Sequence, residues 1–121
     1  MNNLIHKGDS FTWINGTGSD VVAGQIVPVG NILAVASVDI ADGASGTVRT
    51  RCAVKAPKVS AAVIAQGESV NWDVSAGAFD DNAATPATGD VSGAAAFAME
   101  AGANTETEID VVLTGVPGTV A

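Results

Sequence analysis

Turn signals at short spacing divide the sequence into brief segments, which leaves little room for a long helix. Examples are Gly8-Asp9, Asn15-Gly16 and Asp42-Gly43. The apolar residues between the turns are mainly β-branched, with 17 Val and 7 Ile against 3 Leu. Such side chains fit a pleated surface and lose rotamer freedom in a helix. The sequence therefore predicts a mainly β fold: a small single-domain antiparallel β-barrel or sandwich with at most one or two short helical turns.

The length of 121 residues is that of one domain, so we expect a single β domain over residues 1–121. Residues 1–9 are expected to form an N-terminal arm and residues 75–93 a long surface loop, while residues 60–66 could form one helical turn. The expected strands are Leu4–Lys7, Ser10–Ile14, Asp20–Ala23, Gln25–Val29, Ile32–Val38, Thr47–Lys55, Ser69–Val74, Ala94–Glu100 and Glu106–Thr114.

Charge is distributed unevenly, and its sign argues against a nucleic-acid partner. The net charge is −8, and residues 59–121 hold nine acidic residues and no basic one. A surface of that sign repels phosphates, so we expect no nucleic-acid partner. The uncharged stretch at residues 21–38 is interrupted by Pro28 and by polar residues, so we also expect no membrane segment.

Two stretches combine strict alternation with charge. The basic ladder consists of Arg49, Arg51 and Lys55. The acidic ladder consists of Glu106, Glu108 and Asp110. Two interpretations remain open. The ladders could be neighbours within one chain, where exposed pairs contribute roughly 0.2–1 kcal/mol each. Alternatively, they could form a subunit interface, where complementary charge fixes the register.

The few aromatic residues are expected to anchor the core or an interface. Trp72 and Phe97 lie in alternating strands and are predicted to be buried. Trp13 precedes Asn15-Gly16, which is interpreted as a hairpin turn, and it is the best candidate for an exposed or interface anchor.

No combination of residues predicts an active site or a cofactor site. His6 is the single histidine and Cys52 the single cysteine, so neither a catalytic triad nor a zinc site can be assembled. The Asp80-Asp81-Asn82 run lacks the spacing of a calcium loop, and no phosphate-binding loop is present. We therefore expect a protein that is not an enzyme and that has no catalytic residues, metal or cofactor.

The order of the segments resembles the family of small capsid decoration, or cement, proteins of tailed phages. The resemblance is carried by Gly8-Asp9 leading into Phe11-Thr12-Trp13, Val22–Asn31, Ile32–Ala36, Gly46-Thr47-Val48, Pro57-Lys58, Ile64–Asp73, Gly93-Ala94-Ala95 and Val111-Val112-Leu113. It covers nearly the whole chain.

This resemblance implies a structural virion protein that binds the outer surface of the icosahedral capsid and stabilises the mature shell against internal DNA pressure. It implies a major capsid protein lattice as partner, synthesis in the host bacterial cytoplasm and self-association as trimers in preference to dimers. Alternatives are another head-completion or tail structural protein of the phage, or a carbohydrate-binding β module.

Residues expected to contact the capsid are Leu4, Ile5, His6, Lys7 and Trp13, because an apolar N-terminal segment can pair with a capsid strand. The two ladders are the candidates for the subunit interface.

Overall fold

Short strands and turns alternate throughout residues 8–121, the part of the chain described by the computed structural model. Within this range there are eleven strands and no helix, which confirms the mainly β prediction. The strands are β1 (Ser10–Ile14), β2 (Ile26–Val29), β3 (Ile32–Ala36), β4 (Ser45–Arg49), β5 (Arg51–Pro57), β6 (Asn71–Asp73), β7 (Ala78–Asp80), β8 (Val91–Ser92), β9 (Ala96–Ala98), β10 (Glu108–Thr114) and β11 (Thr119–Val120). The expected strand Leu4–Lys7 lies outside the described residues.

The strands form three antiparallel sheets. The first sheet has the order β1-β4-β3-β2, the second β5-β10-β9 and the third β11-β8-β6-β7. Within residues 8–121 no sheet closes into a barrel, so the structure fits the sandwich rather than the barrel.

The expected strand Thr47–Lys55 is broken at Thr50, where the chain passes from the first sheet to the second. Thr50 is buried, and its backbone amide donates a hydrogen bond of 2.8 Å to the carbonyl of Asp9. Its hydroxyl lies 3.2 Å from the same carbonyl oxygen and 3.4 Å from that of Gly8. This β4–β5 corner therefore holds the first described residues of the chain.

Two hydrophobic clusters lie on opposite faces of β3. Leu33 and Val35 belong to a large cluster that reaches all three sheets. Ala34 and Ala36 belong to a small cluster, against which Phe11 and Trp13 of β1 are packed. Because successive side chains of a strand point to opposite faces, β3 forms a wall shared by both clusters.

The prediction that Trp72 is buried is confirmed. Its indole packs edge-to-face against the Phe79 ring, with the ring centroids 4.9 Å apart, and both residues belong to the large cluster. Edge-to-face pairs of this kind add roughly 0.5–1.5 kcal/mol to the contribution from burial.

Asn15-Gly16 does not form the expected hairpin turn, because β1 pairs with β4 and not with the strand that follows it. Asn15 is fully buried, and its side-chain nitrogen donates to the carbonyls of Ser19 (2.8 Å) and Ile40 (3.0 Å). Its side-chain oxygen accepts hydrogen bonds from the amide and hydroxyl of Thr17. The asparagine thus satisfies polar groups of a loop, a role that the hairpin interpretation did not foresee.

Residues 75–93 are not one continuous loop, since they contain β7 and β8. Buried Asp90 contributes to the order of this region. Its carboxylate accepts hydrogen bonds from the amides of Val74 (3.1 Å) and Ala87 (2.9 Å). Side-chain acceptors of this type organise turns without a repeating sequence pattern, which explains why alternation did not reveal these strands.

Two further expectations differ from the structure. Residues 60–66 form no helical turn, and Ile64 instead makes an isolated bridge with Gly102. Of the expected strand Asp20–Ala23, an isolated bridge between Val21 and Ile40 is present.

The C-terminal segment pairs with β8 through β11, a strand that was not predicted. The amide of Gly118 donates a 2.7 Å hydrogen bond to the carbonyl of Asn31, at the β2–β3 turn. A Cβ atom on Gly118 would overlap the carbonyl oxygen of Ser92 and lie 3.2 Å from the Ala95 side chain. Glycine is therefore required for this close approach of backbones.

Candidate functional site

The basic and acidic ladders point outward, as their alternation predicted. Arg49, Arg51 and Lys55 are exposed, whereas Val48 and Thr50, at the alternate positions, are buried. Likewise, Glu106 and Glu108 are exposed and Asp110 is half-buried, while Ile109, Val111 and Leu113 belong to the large cluster.

Strands β5 and β10 are neighbours in the second sheet, so parts of the two ladders meet within one chain. Lys55 lies directly opposite Asp110, with its Nζ 3.0 Å from Asp110 Oδ1. The hydrogen bond to this carboxylate raises the pKa of Lys55. For Lys55 and Asp110, the ladders therefore meet within one chain and not at a subunit interface.

The other ladder residues are not paired with each other. Arg51 lies opposite Thr114 and forms an ion pair with Asp9 at 3.1 Å. Arg49 is in the first sheet, and within residues 8–121 it forms no ion pair.

Glu106 and Glu108 of the acidic ladder lie towards the start of β10. The carboxylate of Glu106 accepts a 2.9 Å hydrogen bond from the amide of Ala103, whereas Glu108 lies opposite Pro57. Both side chains are exposed to solvent.

Trp13 is the one predicted capsid contact that lies in the described part of the chain. It is half-buried against the small cluster and lies opposite Gly46 of β4. Leu4, Ile5, His6 and Lys7 lie outside the described residues. Gly8 and Asp9, which follow them, are held at the β4–β5 corner.

Lys58 is a structurally important residue that sequence reasoning did not single out beyond the Pro57-Lys58 step. It is 4% exposed, and its Nζ donates hydrogen bonds to the carbonyls of Val59 (2.8 Å), Ser60 (3.2 Å) and Glu106 (3.1 Å). A Cβ on Gly102 would stand 2.9 Å from Lys58 Cε, so the lysine stem requires glycine there. The lysine thus joins the segment after β5 to the loop before β10.

The prediction that Phe97 is buried is wrong. Phe97 and Met99 point to the outside of the second sheet and are 38% and 40% exposed. Phe97 lies opposite Val112, which lies opposite Ala53 on the other side of β10. Together Ala53, Phe97, Met99 and Val112 form an outer apolar strip beside the Lys55–Asp110 pair.

A groove of about 370 Å³ lies between the start of β2 and the β6–β7 turn, with Trp72 in its wall. Its other lining residues are Val22, Ala23, Gly24, Gln25, Ile26, Pro57 and Gly77. None of these side chains is ionisable, so the groove offers no acid, base or metal ligand for chemistry.

The chemical inventory of the described residues contains no candidate metal centre. Within residues 8–121 no three His, Cys, Asp or Glu side chains are grouped so that they could hold a metal ion. Cys52 is half-buried, and burial raises the pKa of its thiol, with a smaller opposing effect from Arg49. Over the same residues, no helix has the length and apolar character needed to cross a membrane.

Comparison with known families identifies the chain. No curated protein matches it. The model of the phage cement protein family matches residues 5–113, which is about nine-tenths of the chain. The match covers strands β1 to β9 and β10 as far as Leu113, and it does not include β11. It includes the residues of both ladders, Lys58 and the outer apolar strip. Members of such a family are structural components of a phage capsid rather than catalysts. The chain therefore belongs to the phage cement protein family.

Proposed function

We propose that this protein binds the outer surface of the icosahedral capsid of a tailed phage and stabilises the mature shell against the pressure of packaged DNA. The observation that carries the proposal is the family match over residues 5–113. A ligand that binds only the assembled lattice stabilises it by mass action, to an extent set by its concentration relative to its dissociation constant. Repetition over many lattice positions lets a weak contact suffice.

The capsid contact proposed here consists of the N-terminal arm and Trp13. Leu4, Ile5, His6 and Lys7 of the arm would pair as an extended segment with a strand of the major capsid protein. In support, Gly8 and Asp9 are fixed at the β4–β5 corner, so the arm starts from a defined point. Trp13 follows on the adjoining strand and keeps part of its ring exposed.

Self-association, as a trimer in preference to a dimer, is proposed to use the two ladders. A head-to-tail ring brings one surface of a subunit against a different surface of its neighbour. Because Lys55 and Arg51 already have carboxylate partners in their own chain, the exposed charges that remain for a neighbour are Arg49 on one side and Glu106 and Glu108 on the other. Such pairs contribute register more than affinity.

The proposed location is the outside of the virion, after synthesis in the host bacterial cytoplasm. The net charge of −8 supports this location, because like-charged surfaces keep particles dispersed.

Cosedimentation tests the proposed function. Purified protein is mixed either with expanded, empty shells of the phage or with free major capsid subunits. The protein should sediment with the shells and not bind the free subunits. If it binds neither, or binds subunits as well as shells, the proposal is wrong.

Two additional measurements address the finer points. A variant that lacks residues 1–7 should lose at least tenfold in shell occupancy if the arm is the contact. Electron microscopy of saturated shells should show density at every equivalent lattice position. Density confined to one vertex or to the tail would instead identify a head-completion or tail protein.

A further inference from the structure

Within residues 8–121, the first and second sheets have three strands that form a ladder with a neighbour on one side only. These strands are β1 and β2 in the first sheet and β5 in the second, where a bridge between Lys58 and Phe79 covers the C-terminal end of the edge. The remaining edge, β9, is covered by the segment around Ser69, which bridges to Phe97. An open edge presents unpaired backbone groups to any partner strand, and proteins normally block such edges.

Two of the three edges carry proline at outward positions. In an antiparallel pair, alternate residues direct their N–H and C=O groups towards the neighbour. The carbonyl of Gln25 accepts from the amide of Ala36 next to β2, so Gln25 faces β3 and, by alternation, the outward positions on β2 include Pro28. The backbone amide of Lys58 donates to the carbonyl of Thr107 at the end of the β5–β10 ladder, so Lys58 faces β10 and the outward positions on β5 include Pro57. Proline has no N–H to offer at these positions.

The outward positions of β5 also include two cations, Arg51 and Lys55. If two copies paired their β5 edges about Ala53, each Arg51 would lie opposite a Lys55 of the other copy. Like charges placed directly opposite are destabilising. The β5 edge therefore does not suit pairing with itself.

The β1 edge has neither a proline nor a charge. The carbonyl of Asp9 accepts from Thr50 and the amide of Asn15 donates to Ala44, both at 2.8 Å. By alternation, Ser10, Thr12 and Ile14 then direct three N–H and three C=O groups away from the sheet. Ile14 is 69% exposed, and the rings of Phe11 and Trp13 are half-buried.

We infer that β1 is a self-recognition edge, at which two copies of this chain pair antiparallel about a two-fold axis at Thr12. In that register Thr12 lies opposite Thr12 of the second copy, and each Ser10 lies opposite an Ile14. All three residue pairs then have their backbone groups directed at each other, which allows six hydrogen bonds. Each Phe11 lies opposite a Trp13 of the other copy on the face that packs against the small cluster, as a cross-strand aromatic pair.

A second copy is the occupant that these observations favour. The β1 sequence is uncharged, so antiparallel self-pairing brings no like charges together, and the symmetric register covers the half-exposed rings of both copies at once. The contact uses no residue of the charged ladders, but it covers the Trp13 ring that the proposed capsid contact also uses, so one Trp13 ring serves one of the two contacts at a time.

Edge blocking provides the first test. Thr12→Pro removes an outward N–H but no hydrogen bond to β4, and so repeats the arrangement found at Pro28 and Pro57. Analytical ultracentrifugation across a concentration series should show that wild-type protein reaches twice the mass of the Thr12→Pro variant. Circular dichroism of both proteins checks that the variant is folded.

Cross-linking provides a second test that keeps the edge intact. In a Cys52→Ser background, Thr12→Cys places two cysteines opposite each other with Cα atoms about 5.5 Å apart, within the range of a disulfide. Thr47→Cys is the matched control, because Thr47 lies beside Thr12 on the same face but one strand inward. Its Cα atoms would be roughly 15 Å apart across the axis, too far to bridge. Under mild oxidation, Thr12→Cys should give a covalent dimer and Thr47→Cys should not.

Equal mass for wild type and Thr12→Pro, or equal cross-linking at positions 12 and 47, would overturn the inference. If Thr12→Pro leaves the mass unchanged but weakens binding to empty shells, the edge instead accepts a capsid strand, and self-recognition is wrong. Normal shell binding by Thr12→Pro would leave the proposed function untouched.

Discussion

Replacement of Lys58 by methionine tests how a buried ammonium holds two segments of this fold together. The side chain is 4% exposed and donates to three backbone carbonyls, those of Val59, Ser60 and Glu106. Methionine retains an unbranched apolar stem but donates no hydrogen bond. The substitution therefore removes the polar contacts while creating little empty space.

The size of the destabilisation depends on which hydrogen bonds each of the three carbonyls keeps after the substitution. The Val59 carbonyl still accepts from Ala62, and the Ser60 carbonyl still accepts from Thr105. The Glu106 carbonyl keeps no other donor within residues 8–121. Hydrogen bonds to a charged group contribute about 1.5–3 kcal/mol each, and water can replace part of this at the Glu106 carbonyl, whose bond to Lys58 is only partly buried. Removal of the buried charge offsets part of this loss.

We expect a net loss of about 2–3 kcal/mol in the free energy of unfolding for Lys58→Met. With a urea slope of about 1–3 kcal/mol/M, the unfolding midpoint should fall by about 0.7–3 M. Lys58→Ala also removes three methylenes worth about 0.8 kcal/mol each, so it should be the less stable variant.

Lys55→Met is the matched control, since Lys55 is an exposed lysine whose carboxylate partner is screened by solvent. Its midpoint should stay close to that of the wild type. If Lys58→Met stays within about 0.5 kcal/mol of wild type, or Lys55→Met is as damaging, the three carbonyl contacts do not stabilise the fold.

Three further outcomes are expected. Gly118→Ala should reduce stability by about 1–3 kcal/mol, because its Cβ would overlap a backbone carbonyl of β8. Gly16→Ala, which has open space around it, should change the melting temperature little, and equal melting temperatures for the two variants would contradict the close approach at Gly118. The hydroxyl of Ser75, together with backbone amides, lowers the pKa of Asp73 below 3.8, so the carboxylate stabilises the fold above that pH and this contribution is lost as the pH falls through the lowered pKa. Urea unfolding of Asp73→Asn between pH 2 and 5, roughly the titration range of a carboxylate, should lack this part of the pH dependence of stability. Burial raises the pKa of the Cys52 thiol, so iodoacetamide at pH 8, close to the pKa of a free thiol, should react several-fold more slowly with folded than with urea-unfolded protein. Equal reaction rates would argue against burial of the thiol.

Alternation located the strands that have one buried and one exposed face. β1 has the predicted bounds, and β10 keeps Ile109, Val111 and Leu113 inside as expected. The strands that were missed are two or three residues long: β7, β8 and β11. Such strands are too short for a period of two to be visible, and they are fixed by tertiary contacts such as those of the Asp90 carboxylate.

Side-chain size misled the prediction for β9. Phe97 was expected to face the core, yet Phe97 and Met99 face outward, and Ala96 and Ala98 face the core. Ala96 and Ala98 are 1% exposed within the large cluster, and Glu68 and Val70 hydrogen-bond to their backbone along the edge of the strand.

The candidate surfaces were predictable only in part. Charge alternation correctly indicated that the ladders face outward, but the cross-strand register that joins Lys55 to Asp110 depends on which strands become neighbours. Burial of Lys58 could not be inferred, because lysine is almost never fully buried and its carbonyl partners come from two separate segments. The proline-lysine step was the one local signal for it.

The position of β3 between the two clusters has a consequence for how this molecule can fail. Leu33 and Val35 serve one interior and Ala34 and Ala36 the other, so disruption of either interior removes support from the same strand. The two halves should therefore melt in one cooperative transition, and the amides of β3 should be among the slowest to exchange with deuterium. Such a molecule has little scope to yield gradually under mechanical load.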